Sequence, residues 1–216
     1  RELDSAREVN MRLFMIRHGE TQWNKWNKLQ GQVNIPLNET GETEARKLAE
    51  ILQNKKFDAI YSSPLNRCRE TAKIVFGHDA DIILEPLIME MAFGIYEGFA
   101  YEDTDIDESH DLYNYFYDLG NYVPPKGGES VRQVAYRAKT FLDKMLIQHE
   151  NETVIAFSHG ALIYNTISVV RNLILTRRDL IKSIKNCSVT VFNNNSGQLS
   201  IEQEAIDVIG GETLIL

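Results

Sequence analysis

The stretch LFMIRHGETQWN, residues 13–24, carries the strongest structural signal in the sequence. Its first four residues are all apolar, which is typical of a strand covered on both faces of a sheet. The apolar run stops at Arg17, His18 and Gly19. Since ligands in open α/β sheets bind outside the carboxyl ends of the strands, this strand end is a candidate for a binding site.

Two later segments repeat this arrangement. Residues 57–61 read as a buried strand that runs into residues 62–64, with Arg67 close behind. Residues 153–157 read as another, which runs into residues 158–160, Ser-His-Gly. If the three strand ends converge, two histidines and two arginines share one cleft, and their mutual repulsion favours an anion there. Phosphate is the natural candidate because guanidinium groups match its oxygens.

The remaining pattern predicts the fold class. Apolar residues recur at helical spacing in residues 45–52, 65–75 and 131–145, between the apolar strand segments. Ser63 is expected to cap the second of these helices, with Pro64 in its first position. Residues 187–192 are rich in β-branched residues and predict a later strand. Such alternation indicates a three-layer α/β/α sandwich around a mostly parallel sheet.

The sequence predicts one domain over residues 11–216, preceded at residues 1–10 by a leader or by added, non-native residues. Within the domain the helical pattern loosens over residues 92–128, which are acidic and aromatic and end in a Pro- and Gly-rich stretch. This stretch is predicted to form an inserted cap. Its aromatic residues either line the mouth of the pocket or pack the cap onto the domain: Tyr113, Tyr115, Phe116, Tyr117 and Tyr122.

Composition excludes several classes of function. The net charge of −8 argues against a general nucleic-acid surface, which needs clustered positive charge. No apolar run approaches the roughly 20 residues that span a bilayer. Only two cysteines, Cys68 and Cys187, are present, too few for a disulfide framework, and Cys68 is expected to be a buried free thiol. We therefore expect a cytoplasmic protein that binds neither nucleic acid nor membrane.

Four motifs in order along the chain resemble the histidine phosphatase superfamily, which includes the cofactor-dependent phosphoglycerate mutases. They are residues 17–24 with Gly31 and residues 37–41, residues 62–72, Glu90 with Gly94 and residues 97–98, and residues 158–160. The likeness extends from Met11 to about Asn172. It implies a phosphoglycerate mutase-like fold and a small phosphate ester as the binding partner.

The resemblance also implies roles for individual residues. His18 would be the nucleophile that becomes phosphorylated, while Arg17, Arg67 and a protonated His159 keep it neutral and bind the phosphate oxygens. Glu90 would protonate the leaving group and then accept a proton from the attacking water. The implied substrate-binding residues are Arg17, Thr21, Asn24, Gln30, Gly31, Arg67, Glu90 and Gly160. No metal and no other cofactor is implied.

Within the superfamily, the sequence favours the phosphatase branch. The mutase branch has a basic residue and a tyrosine after its glutamate and paired arginines in the insertion. Here residues 91–93 are Met-Ala-Phe, and the insertion contains no arginine. It contains acidic residues that would repel a doubly anionic intermediate: Glu102, Asp103, Asp105, Asp107, Glu108 and Asp111. We therefore expect net hydrolysis of small phosphomonoesters.

Three alternatives remain open. Phosphoglycerate mutase-type transfer is one. A metallophosphoesterase would use His18, His159, Glu20 and Glu90 as metal ligands, although no HExxH or short His/Asp spacing is present. A non-catalytic phosphate-binding regulatory protein would keep only the pocket. The sequence does not identify the physiological substrate or the oligomeric state.

Overall fold

The computed structural model of the chain describes residues 10–100, 106–173, 178–195 and 197–216. Its centre is one sheet with the strand order β3-β2-β4-β1-β5-β6. The strands are β1 (Asn10–Arg17), β2 (Ala59–Ser62), β3 (Ile82–Leu84), β4 (Thr153–Ser158), β5 (Val189–Asn195) and β6 (Gln198–Ile206). The first four pair in parallel, whereas β5 and β6 add antiparallel pairs. The predicted mostly parallel sheet is confirmed.

Helices cover both faces of the sheet. They are α1 (Gln22–Lys25), α2 (Glu39–Leu52), α3 (Asn66–Phe76), α4 (Tyr113–Tyr117), α5 (Val131–Gln148) and α6 (Gly160–Val170). Alternate side chains of β1 point to opposite faces. Leu13 and Met15 share a buried cluster with residues of α5 and α6, and Phe14 and Ile16 share another with residues of α2 and α3. The three-layer α/β/α sandwich is therefore confirmed.

Two strands were not predicted, and one begins later than expected. The edge strand β3 is apolar but has only three residues, too few to read as a strand, and β6 is interrupted by polar side chains. The strand expected at residues 187–192 begins at Val189, because Cys187 has a left-handed backbone (φ 52°) and its N–H bonds to the carbonyl of Arg17.

The prediction that Ser63 caps α3 is wrong. The helix begins at Asn66, and Leu65 occupies the cap position without a side-chain hydrogen bond. The Ser63 hydroxyl instead lies 2.8 Å from Nε2 of His159. A tertiary hydrogen bond at the strand end thus replaces the local cap.

The segment predicted to be a cap is described in part. It contains α4 and the short 3₁₀ turns Gly94–Tyr96 and Leu119–Asn121, and a bridge between Phe93 and Gly128 joins its two ends. The Tyr115 ring packs edge-on against Phe93, with ring centroids 4.8 Å apart. Residues 1–9 and 101–105, and with them most of the expected leader and Glu102, Asp103 and Asp105, lie outside the described residues. Among the described helices, none combines the length and the apolar character needed to cross a bilayer.

Candidate active site

The strand order brings the two histidine motifs side by side. β1 and β4 are neighbours with Arg17 opposite Ser158, so His18 and His159 are the next residues of adjacent strands. The His18 N–H donates to the Ser158 carbonyl at 3.0 Å, and the two imidazole centroids are 5.2 Å apart. The predicted convergence of these strand ends is confirmed.

The tautomer of His18 follows from its hydrogen bond. Its Nδ1 lies 2.7 Å from the carbonyl oxygen of Gly19. Because a carbonyl oxygen only accepts, Nδ1 carries the hydrogen and Nε2 keeps a lone pair. Burial lowers the pKa of His18 well below its ordinary value, and the charges of Arg67 and Arg17 lower it further. His18 is therefore a neutral imidazole with a nucleophilic nitrogen.

Arg67 is fully buried behind this imidazole. Its guanidinium donates to the carbonyls of Gly31 (2.7 Å) and Val33 (2.9 Å), and Nε donates to Nδ1 of His159 (3.2 Å). These contacts fix the guanidinium plane. Arg17 also lines the cavity, and it donates from Nη1 to the Ile184 carbonyl at 2.8 Å.

The expectation that His159 is protonated is wrong for the ligand-free protein. Burial lowers its pKa well below the ordinary value, and Arg67 is the next cause. Since the Arg67 N–H donates to Nδ1, the proton of the neutral ring is on Nε2, which faces the Ser63 hydroxyl. The Cys68 thiol lies 3.3 Å from the same Nε2. Cys68 is a buried free thiol, as expected, and burial raises its pKa.

A cavity of about 210 Å³ opens in front of His18. All the predicted site residues line it except Thr21 and His159. Thr21 is fully buried, and its hydroxyl accepts from the backbone N–H of Asn24 as the cap of α1. His159 is likewise buried, in contact with Arg67 and Ser63.

Some of the residues that line the cavity were predicted from the sequence only as an alternative, and others were not predicted. Tyr115 and Phe116 line it, as one interpretation of the aromatic residues predicted, whereas Tyr113, Tyr117 and Tyr122 do not. Lys28, Leu29, Phe93 and Ala161 were missed. Each lies one to three residues from a predicted site residue, so proximity in sequence was the available signal.

Glu90 lines the cavity next to the start of α6. Its carboxylate accepts from the backbone N–H of Met91 at 2.9 Å and from those of Ala161 and Leu162 at 3.3 Å. The last two are first-turn amides of α6, which have no hydrogen-bond partner within the helix. The carboxyl group is thus held at the cavity by a rigid element.

Two glycines of the motifs are explained by close packing. A Cβ on Gly19 would lie 2.6 Å from the carbonyl oxygen of Gly41, where α2 approaches the strand end. Gly31 has a left-handed backbone (φ 50°), and a Cβ there would lie 2.1 Å from Oε1 of Glu97. A side chain at either position would displace the loops that carry His18 and the Arg67 acceptor.

The acidic residues of the segment that the structure describes give no support to the electrostatic argument against a mutase. Of those described, Asp107, Glu108 and Asp111 do not line the cavity. Asp111 instead accepts from the Tyr96 hydroxyl at 2.7 Å.

Within the described residues, the potential metal ligands do not form a coordination set. No group of three or more His, Cys, Asp or Glu side chains within the described ranges is arranged to hold a metal ion. Glu20 accepts from the Asn38 amide, and Nδ1 of His159 accepts from Arg67.

The two buried imidazoles predict how stability depends on pH. In the unfolded chain both take up protons near pH 6.5, whereas in the ligand-free folded protein their pKa values are lowered. Below about pH 6.5 the unfolded state therefore binds more protons than the folded state does. We expect the free energy of unfolding to fall there by up to about 1.4 kcal/mol per pH unit for each imidazole.

Urea unfolding of the ligand-free protein at pH 7.5, 6.5 and 5.5 measures this dependence. His159→Gln should remove about half of it, whereas His78→Gln, at an exposed position, should leave it unchanged. A His159→Gln slope equal to that of the parent protein would contradict the assignment.

Comparison with known proteins agrees with this geometry. A family model of the histidine phosphatase superfamily (branch 1) matches residues 13–207. Phosphoserine phosphatase 1 of Hydrogenobacter thermophilus is 33% identical over 150 residues, which are 69% of this chain and 71% of that protein. A probable phosphoglycerate mutase, GpmB, of Enterobacter sp. is 30% identical over 181 residues, 83% of each chain.

A solved structure shows the same fold. The crystal structure of a phosphoserine phosphatase variant from Entamoeba histolytica in complex with phosphoserine superposes with a TM-score of 0.80 and 27% identity. The match covers 90% of this chain and 96% of that one. The sequence motifs, the paired histidines and these relatives agree: the chain belongs to the histidine phosphatase superfamily and is a phosphatase.

Proposed function

We propose that this phosphatase hydrolyses small phosphomonoesters without a metal ion, through a phosphohistidine on Nε2 of His18. The observation that carries the proposal is the hydrogen bond from Nδ1 to the Gly19 carbonyl. It leaves the Nε2 lone pair of a neutral imidazole available at a cavity that two guanidinium groups also line.

In the first step the Nε2 lone pair attacks phosphorus while the bond from phosphorus to the ester oxygen breaks. Arg17 and Arg67 bind the non-bridging oxygens and stabilise their charge. Protonated Glu90 donates its proton to the departing alkoxide. Asn24 adds a further donor, since its Oδ1 accepts from the Thr21 N–H and its amide nitrogen is left for the phosphate.

In the second step a water molecule attacks the phosphorus of the phosphohistidine. Ionised Glu90 takes the proton of this water, and the bond from nitrogen to phosphorus breaks. Nε2 regains its lone pair, inorganic phosphate leaves, and Glu90 is again protonated. His159 does not line the cavity, so it acts on the phosphate through Arg67. Its Nδ1 accepts from Nε of Arg67 and so helps to fix the guanidinium plane that binds the phosphate oxygens.

Both arginines are engaged by backbone carbonyls before a ligand arrives, which supports electrostatic catalysis by protein groups alone. We expect exhaustive dialysis against a chelator to leave the rate of p-nitrophenyl phosphate hydrolysis unchanged. A rate that disappears on chelation and returns with a divalent cation would favour the metallophosphoesterase.

Ester turnover also distinguishes a phosphatase from a mutase and from a non-catalytic protein. With 3-phosphoglycerate we expect release of inorganic phosphate to exceed formation of the 2-phospho isomer. The reverse would identify a mutase. Binding of inorganic phosphate with no turnover of any ester would identify a non-catalytic phosphate-binding protein.

A further inference from the structure

Lys28 brings a third cation to the catalytic cavity, besides the two arginines. The proposed reaction uses Arg17 and Arg67 for the phosphoryl group and gives Lys28 no part. No ion pair of Lys28 occurs among the residues that the structure describes. A lysine that faces a cavity without a counter-charge is an attractive contact for an anionic ligand group.

Two indole rings hold this ammonium group in position. Nζ of Lys28 lies 5.7 Å from the ring centroid of Trp23 and 5.5 Å from that of Trp26, within the range of a cation–π contact. The Lys28 N–H donates to the Trp23 carbonyl at 2.8 Å, and Lys28 pairs with Ala100 in an isolated bridge. A side chain fixed in this way loses less freedom when it binds a ligand.

Gln30, two residues beyond Lys28, also lines the cavity and offers a complementary group. The residue is buried, with only 8% of its surface exposed. Within the described residues its Oε1 has no hydrogen-bond partner. A buried carbonyl oxygen of this kind is costly unless a donor reaches it, and a ligand hydroxyl or ammonium group would be such a donor.

We propose that Lys28 is a specificity residue that binds a carboxylate on the leaving group, while the Gln30 amide accepts from a hydroxyl or ammonium group on the adjoining carbon. The assignment of Lys28 rests on the proposed function. It implies that the substrates are phosphate esters of small hydroxy and amino acids. Glu90 would repel a carboxylate. Its side chain, however, is bound by the N–H groups of Ala161 and Leu162 at the start of α6, whereas Lys28 lies in the segment that follows α1.

The matched pair phosphoserine and phosphoethanolamine tests the proposal, because the two differ only in the carboxylate. The parent enzyme should have a kcat/KM at least about tenfold higher for phosphoserine, the effect of one charge-assisted hydrogen bond. Lys28→Met should remove that preference, mainly through a higher KM for phosphoserine, and Lys28→Arg should restore part of it. Lys25→Met is the matched control, since Lys25 is exposed on α1 and does not line the cavity.

Equal losses on both esters in Lys28→Met would show that the side chain only supports the loop, and would overturn the proposal. A parent enzyme with no preference for phosphoserine would overturn it too. In either case continued hydrolysis of p-nitrophenyl phosphate leaves the proposed function intact. If no ester is hydrolysed, the proposed function fails and this inference with it.

Discussion

Replacing His18 with asparagine is expected to lower kcat for ester hydrolysis by roughly four to six orders of magnitude, as for other lost nucleophiles. The asparagine amide can still donate to the Gly19 carbonyl, which accepts from Nδ1 in the parent enzyme. The fold and the phosphate cradle should therefore persist, while the nucleophilic nitrogen is gone. Affinity for inorganic phosphate should change much less than kcat.

Rapid acid-free quenching during turnover of a ³²P-labelled ester measures the proposed phosphohistidine directly. The parent enzyme should carry an acid-labile, base-stable phosphoryl group, and His18→Asn should carry none. His78→Asn, at an exposed position, is the matched control and should be labelled like the parent. A His18→Asn variant that still forms the adduct would move the nucleophile to another residue.

The sequence predicted the strands that carry the site because those strands are buried on both faces. Residues 13–16 and 153–157 are continuous apolar runs, and each ends directly at its histidine motif. Their adjacency could not be read from periodicity, since it depends on the insertion of β4 between β1 and β2. The convergence was predicted from the rule that ligands bind at the carboxyl ends of the strands, and the family resemblance implied that His18 and His159 act on one phosphate.

The failures of prediction have a common physical cause. Ser63 has the chemistry of a helix cap, yet its hydroxyl bonds to His159. His159 was expected to be charged, yet burial beside Arg67 lowers its pKa. In both cases a contact between distant segments decides the outcome, and local sequence contains no information about it. Lys28 was overlooked for a similar reason, since only the fold shows that it faces the cavity.

Arg67 should show the second largest effect, because in the proposed reaction one side chain both binds the phosphoryl group and holds the loop beside it. Arg67→Met leaves the carbonyls of Gly31 and Val33 without their donor and removes a charge next to His18. We expect kcat/KM to fall by about two to three orders of magnitude, as for the loss of one oxyanion-binding group. Unfolding should become easier by about 1–3 kcal/mol, from the unsatisfied buried carbonyl of Gly31.

Arg67→Lys separates charge from geometry. A lysine keeps the positive charge, but its ammonium cannot match the planar fork that reaches Gly31, Val33 and His159 together. We expect it to recover part of the affinity for inorganic phosphate while kcat stays at least about a hundredfold below that of the parent. Arg69→Lys, on the same helix, is the control and should change neither quantity. If Arg67→Lys were fully active, charge alone would suffice, and the fixed guanidinium plane would not be part of the catalytic arrangement.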